Sequence, residues 1–269
     1  MNYSGKHVFV AGGTTGINFG IAKAFAAAGA RLFVVSRKAE NVEAACSELG
    51  DAAHGATADV RDFAAVEAAF ADAAAHHGEI DVLISGAAGN FPAFANALSP
   101  NGFKAVVDID LLGTFHVMRA AYPHLRKPGG VVINISAPQA ALPMEAQVHV
   151  CAAKAGVDMV TRTLAMEWGP DGLRVLSVIP GPIGGTEGMR RLAPTEAMME
   201  RCRETVPLRR IGAPDDVADA CLALASDACR YVTGAIIPVD GGWSLGGAGA
   251  AMSEIVGEAV KAGALAREA

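Results

Sequence analysis

The stretch His7-Val8-Phe9-Val10-Ala11-Gly12-Gly13-Thr14-Thr15-Gly16-Ile17-Asn18 decides the fold. A short apolar run, 7–11, reads as a strand. It enters a glycine-rich turn, and the following residues, 17–28, carry the spacing of a helix. Glycines let the backbone turn tightly and bring the N–H groups of a helix N-terminus against a pyrophosphate. The spacing is GxxxGxN, not GxGxxG. A glycine turn is a weak signal alone and gains its meaning from lying between the first strand and the first helix. Gly12, Thr14, Thr15, Gly16 and Ile17 are therefore candidate cofactor contacts.

Outward from this turn, apolar runs alternate with longer amphipathic segments. Strands are expected over 31–36, 55–59, 81–85, 130–136, 173–179 and 235–239. Helices are expected over 41–49, 63–76, 148–168 and 215–225. Two long helices should occupy 100–126, with an adjustment near Gly113. This alternation implies an α/β fold, a Rossmann-type doubly wound parallel sheet in a single domain over 1–242. The polar, Met-rich stretch 184–206 reads as an insertion over the carboxyl ends of the strands, a substrate lid. The remainder, 243–269, is a Gly/Ala-rich C-terminal extension with one expected helix over 253–262.

Composition agrees with that class. The 269 residues are 52% hydrophobic but only 6% aromatic, which suits helices packed closely on a sheet through small side chains. A net charge of −6 argues against a nucleic-acid or membrane surface. The five cysteines, Cys46, Cys151, Cys202, Cys221 and Cys229, show no metal-ligand spacing, so no metal is expected and a reducing compartment, the cytoplasm, is implied. Residues 1–5 are too short and polar for a signal peptide, no apolar run reaches the roughly 18 residues of a membrane span, and 266–269 is not a recognisable targeting signal.

The end of the second strand speaks to the cofactor. A fold selecting NAD usually places an acid there for the ribose hydroxyls. Here stand Ser36-Arg37-Lys38, two cations and a hydroxyl suited to a 2′-phosphate, so NADPH is expected over NADH. Asp59-Val60, ending the third strand, reads either as a contact to the adenine amino group or, for Asp59, as a cap of the next helix.

Taken with Ala87-Ala88-Gly89, Lys154, Pro180-Gly181-Pro182-Ile183 and Val239-Asp240-Gly241-Gly242, these pieces resemble the short-chain dehydrogenase/reductase family over 5–242. Members of that family carry a YxxxK pair, a serine at the end of the fifth strand and an asparagine on the preceding helix. Only Lys154 is kept. Val150 stands four residues before it, Ala137 at the serine position with Ser136 one place early, and Asp110 at the asparagine position. A valine transfers no proton, so ordinary alcohol–ketone exchange is not expected.

The 2,4-dienoyl-CoA reductase branch lacks the tyrosine in the same way. The chain is similar to its peroxisomal form at Ala87-Ala88-Gly89-Asn90-Phe91, Asp108-Ile109-Asp110, Gln147-Val148-His149, Glu167-Trp168-Gly169-Pro170, Gly185-Thr186-Glu187-Gly188 and Arg190-Arg191-Leu192. It departs at Asn18, where a third glycine is usual, at Ser85-Gly86, where Asn-Cys is usual, and in its longer tail. The resemblance implies an acyl-CoA substrate and a homotetramer. Asn90 would donate to the thioester oxygen, and Asp110 with Lys154 would activate a water. Ala87, Pro180, Gly181 and Ile183 would touch the cofactor along with Lys154. Phe91, Gln139, His149, Arg190 and Arg191 would touch substrate, the arginines meeting CoA phosphates, as would Arg201 and Arg203. Met189, Met198 and Met199 suit either an acyl channel, since Met adapts to flexible chains, or ordinary packing. Two alternatives stay open: an oxidoreductase acting on another activated alkene or carbonyl, and a catalytically silent NADP-binding protein.

Overall fold

The computed structural model describes residues 1–265, so 266–269, including the stretch read for a targeting signal, lie outside the described residues. Strand β1 (His7–Ala11) leads through the glycine turn into helix α1 (Gly16–Ala27). Then come β2 (Arg31–Ser36), α2 (Ala39–Leu49), β3 (Ala53–Thr57), α3 (Phe63–His77) and β4 (Val82–Ser85). Helix α4 (Pro100–Val106) runs through a π-helical turn, Val107–Leu112, into α5 (Gly113–Ala121). The chain continues with β5 (Val131–Ile135), α6 (Val148–Trp168), β6 (Arg174–Pro180), α7 (Glu187–Leu192), α8 (Glu196–Thr205), α9 (Pro214–Ala225), β7 (Ile236–Val239) and α10 (Gly247–Lys261).

The seven strands form one parallel sheet in the order β3-β2-β1-β4-β5-β6-β7. The order reverses between β1 and β4, which is where an open α/β sheet leaves a crevice at the carboxyl ends of its strands. Both faces are covered because successive side chains of a strand point to opposite sides. Val8 and Val10 of β1 join Ile21 and Phe25 of α1 and Val217 of α9 on one face. Phe9 and Ala11 join Phe33, Phe70 and Val117 on the other. There Phe9 stacks on Phe70 at 4.0 Å and on Phe33 at 5.6 Å. Each such ring, fully buried, stabilises the fold by about 1.5–3 kcal/mol, and the stack, with Val66, Ala69 and Ala73, seats α3 on the sheet. Among the described residues no helix is long and apolar enough to cross a membrane.

Most boundaries shift by a residue or two, and the shifts that bear on the site are these. Strand β3 is Ala53–Thr57, two residues earlier than 55–59, because its ladder follows β2 from Leu32 to Ser36. Asp59 consequently lies in the loop beyond the strand. The adjustment expected near Gly113 is a π turn, Val107–Leu112, that ends at the residue before it. The stretch 184–206 contains two helices, α7 and α8, capped by Thr186 and Thr195, whose hydroxyls accept from the N–H groups of Met189 and Met198. The helix of the extension starts at Gly247, not at residue 253, since its small residues Ala248 and Ala251 are themselves buried.

Candidate active site

The glycine turn sits where β1 meets α1, with Gly12 at φ 77°. A Cβ there would meet the Ala87 backbone at 3.0 Å, so the residue keeps the end of β4 close to the turn. Thr15 precedes α1 without a side-chain cap. The first N–H groups of the helix are thus left to a ligand, and Gly16 and Ile17 line the cleft beside them. This is the cradle an anionic pyrophosphate requires.

Asn18, in the first turn of α1, fills the space of the usual third glycine in an unexpected way. Its Nδ2 donates to the Gly86 carbonyl at 2.8 Å, and a Cβ on Gly86 would come within 2.6 Å of its Cγ. The two departures from the family pattern, Asn18 and Gly86, therefore fit one another. Asn18 Oδ1 is buried with no partner in the protein.

A pocket of 180 Å³ on the β2 side is lined by Gly12, Thr14, Thr15, Ser36, Arg37, Asp59, Val60 and Ala87 among others. It adjoins a cleft of 760 Å³ that holds Gly16, Ile17, Lys38, Asn90, Asp110, Gln139, Lys154, Pro180, Gly181, Ile183 and Arg190. Thr15, Asn18, Gly86 and Ala88 line both, which makes them one groove across the sheet's switch point. All the residues read as cofactor contacts line this groove. Asp59 does not cap α3; Asp62 does, accepting from Ala65 N at 3.2 Å. Asp59 is instead gripped by Arg61, with Nη2 to Oδ2 at 2.6 Å. That bond, and the nearby Arg37, hold its carboxyl below the usual aspartate range against the opposing effect of burial.

The π turn presents Asp110. Its extra residue widens the helix and turns this carboxylate inward toward α6, a common use of single π turns. Asp110 Oδ1 accepts from Gly89 N at 2.7 Å, and Oδ2 lies 3.3 Å from Lys154 Nζ. Lys154 also donates to the Ile135 carbonyl at the end of β5, at 3.2 Å. Asp110 is 1% exposed and Lys154 5%. An ammonium this deep costs several kcal/mol unless paired, so each charge needs the other. Val150, one turn before Lys154 on α6, lines the same cleft with Ser136 and Ala137. One turn after Lys154, buried Asp158 accepts from Ser177 Oγ at 3.0 Å. Burial pushes its carboxyl up, while the Lys154 charge acts in the opposite sense. Asp158 had no signal in the sequence beyond its i+4 spacing from Lys154.

The residues read as substrate contacts divide. Asn90, Gln139 and Arg190 line the cleft; Phe91, His149 and Arg191 do not. Asn90 Oδ1 is buried without a protein partner. Gln139 donates to Gln147 at 2.6 Å, which leaves Gln139 Oε1 and Gln147 Nε2 unpaired. His149 is buried beside the Phe91 ring, centroids 4.7 Å apart, and Nε2 donates to the Phe91 carbonyl at 3.0 Å. Burial keeps its pKa below the ordinary value. Arg190 and Arg191 both pair with Glu187, at 2.8 and 2.9 Å, and Arg191 reaches the Asn90 carbonyl at 3.2 Å. Arg203 pairs with Glu200, and Arg201 with Glu258. Met189 lines the cleft, whereas Met198 and Met199 pack behind it. Sequence reasoning missed Trp243 and Met252, which also line the cleft from beyond the domain boundary it drew.

A dinucleotide groove at the switch point, with a buried acid–lysine pair at its inner end, defines a nicotinamide-dependent reductase. The profile described as enoyl-(acyl carrier protein) reductase matches residues 11–244, and the chain belongs to the short-chain dehydrogenase/reductase family, whose members bind a nicotinamide cofactor. It is 44% identical over 246 residues to a peroxisomal 2,4-dienoyl-CoA reductase, (3E)-enoyl-CoA-producing, of Pongo abelii, covering 88% of this chain and 83% of the relative. It is 39% identical over 244 residues to a probable 2,4-dienoyl-CoA reductase, (2E)-enoyl-CoA-producing, of Bacillus subtilis, covering 88% and 96%. Among solved structures, a 3-ketoacyl-(acyl-carrier-protein) reductase of Brucella melitensis complexed with NADH superimposes with a TM-score of 0.84 at 30% identity, over 90% of this chain and 100% of that one.

Proposed function

We propose that this chain reduces 2,4-dienoyl-CoA thioesters with NADPH to 3-enoyl-CoA. One observation carries the reading. Val150 lines the cleft at the position of the family's proton-transferring tyrosine, while a buried Asp110–Lys154 pair and the Asn90 amide remain in the same cleft. Such a site can hold an oxyanion and supply a proton to carbon, and has no tyrosine to protonate a ketone oxygen.

The uncapped start of α1 takes the pyrophosphate. Ser36, Arg37 and Lys38 take the 2′-phosphate, Asp59 and Val60 the adenine, Lys154 the nicotinamide ribose, and Ala87, Pro180, Gly181 and Ile183 the remaining contacts. When bound, the reduced nicotinamide supplies the hydride, delivered to C5 of the diene. The C4=C5 pair then moves to C3–C4, the C2=C3 pair to C1–C2, and negative charge collects on the thioester oxygen. The Asn90 amide donates to that oxygen, a fixed donor aimed where the charge develops. Asp110 and Lys154 orient a water that gives its proton to C2, leaving the double bond at C3–C4. A proton placed on C4 would leave a 2-enoyl product instead, so the position of this water decides between the two outcomes. Gln139 lines the wall near the acyl group, while His149, bonded to the Phe91 carbonyl, braces the loop that carries Asn90 from outside the cleft; Arg190 at the cleft and Arg191 beside it on the exposed face of α7 meet the CoA phosphates.

The five cysteines, none of them paired, suit a reducing compartment, and we place the enzyme in the cytoplasm. The exposed Phe103, Leu112, Phe115, Met159 and Met166 on the long helices support a homotetramer that covers them.

The test is NADPH oxidation with 2,4-hexadienoyl-CoA, with the product's double bond located by NMR. Turnover to 3-enoyl-CoA, faster with NADPH than with NADH and absent with simple ketones, is expected. Failure to turn over any dienoyl-CoA while binding NADPH would sink the proposal. Asp110→Asn keeps the acceptor for Gly89 and should lower kcat about a hundredfold or more; an unchanged rate would remove Asp110 from the proton path.

A further inference from the structure

Helix α10 begins at Gly247, just past the last residue, 244, of the family match. It folds back over α8 and does not extend away from the domain. Ala248, Ala251, Met252 and Val256 are buried in one apolar cluster with Met144, Met189, Met198, Cys202 and Trp243. Two polar ties hold the arrangement: Trp243 Nε1 donates to Thr205 Oγ1 at 2.9 Å, and Arg201 of α8 pairs with Glu258 of α10.

This cluster is also a wall of the active-site cleft. Met189 of α7, Trp243 and Met252 of α10 line the same 760 Å³ space as Asp110 and Lys154. Their surfaces are a thioether, an indole and a second thioether. None suits a phosphate, and the pantetheine amides need donors and acceptors this wall lacks. An alkyl chain needs what it offers, apolar contact from side chains that adjust to its shape.

We propose that α10 closes the far end of the acyl-chain channel, and that Met252, seated beside Trp243, sets the acyl length this chain accepts. The proposal rests on the thioester reading above. It adds a specificity element from a segment outside the family match. Each methylene accepted or refused by an apolar pocket changes specificity by about tenfold or more. One side chain at the channel's end is therefore enough to grade the substrates.

The experiment measures kcat/KM for 2,4-hexadienoyl-CoA and 2,4-hexadecadienoyl-CoA in the unmodified protein, Met252→Ala and Met252→Phe. Shortening the side chain should raise the long-to-short ratio by about tenfold, and Phe should lower it comparably. Phe keeps the helix's apolar contact if Ala loosens it. Trp243 emission, read in a Trp168→Phe background, supplies a second readout. Saturated hexanoyl-CoA and hexadecanoyl-CoA should each shift it, with affinities that follow the same ratio. A ratio unchanged in both variants, or Trp243 emission indifferent to every acyl-CoA, would overturn the proposal. If no dienoyl-CoA turns over but the Met252 variants still reorder acyl-CoA affinities, the channel stands and the reductase reading falls.

Discussion

Asn18 and Gly86 depart together from the 2,4-dienoyl-CoA reductase pattern that the rest of the site follows. The amide of Asn18 occupies the volume a side chain at position 86 would need and bonds the Gly86 carbonyl. Gly86→Cys alone forces the Asn18 amide out of place, an overpacking that costs about 1–3 kcal/mol. Asn18→Gly alone leaves a gap and an unpaired carbonyl. The double variant, Asn18→Gly with Gly86→Cys, should recover most of the loss, with a coupling of at least about 1 kcal/mol in urea unfolding. Additive losses would show that the pair is not a unit. Each residue was visible in the sequence as an oddity. Their linkage was not, because 68 positions separate them and only the sheet order puts β1 beside β4. The Asp110–Lys154 pair was more accessible, since both occupy motif positions. Lys154 also sits among small apolar residues, which pointed to its burial; the Gly89 and Ile135 bonds that hold the pair came only from packing.

At the scale of elements, the alternation of strands and helices was legible because period and length change sharply from one segment to the next. An adjustment near Gly113 was legible too, but not its form, the π turn at Val107–Leu112. Its one extra residue leaves the apolar spacing nearly intact, yet it is what turns Asp110 inward. The reading of α10 also missed, starting it at residue 253, because buried alanines at 248 and 251 carry little amphipathic signal. The lid helix α7 allows a direct test. Arg190 and Arg191 share one exposed carboxylate, Glu187, and both cations hold its pKa down. Exposed pairs of this kind contribute little to stability. Replacing both arginines with Ala should leave the melting temperature nearly unchanged. If they meet CoA phosphates, KM for the dienoyl-CoA should rise about tenfold at low ionic strength and by much less in high salt. A KM insensitive to both the substitution and salt would confine the arginines to the lid itself.

At the scale of the molecule, the sheet separates chemistry from stability. Its carboxyl end carries the groove. Its amino end carries a histidine cluster: the His7 ring lies 5.0 Å from His77, and His54 stacks on His76 at 4.1 Å. His7 is fully buried at the start of β1 and anchored at two points: its N–H donates to Asp81 Oδ2 and its Nδ1 lies 3.0 Å from the Gly78 carbonyl, while Nε2 has no partner in the protein. Burial, with smaller contributions from His77 and Arg31, pushes its pKa from 6.5 down to about 4. The unfolded chain therefore takes up this proton below 6.5, while the native state refuses it until near 4. Stability must fall as pH drops through that window, and this one group should remove about 2 kcal/mol between pH 7 and pH 5. Asp81, paired with Lys6 and Arg126, has its carboxyl held below the ordinary aspartate value, so its contribution is lost only at lower pH. Urea unfolding across this range separates the two. His7→Gln should flatten the loss above pH 5 and leave the steeper loss in stronger acid. A variant that still weakens in parallel with the unmodified protein would shift the assignment to His77, whose pKa burial also lowers.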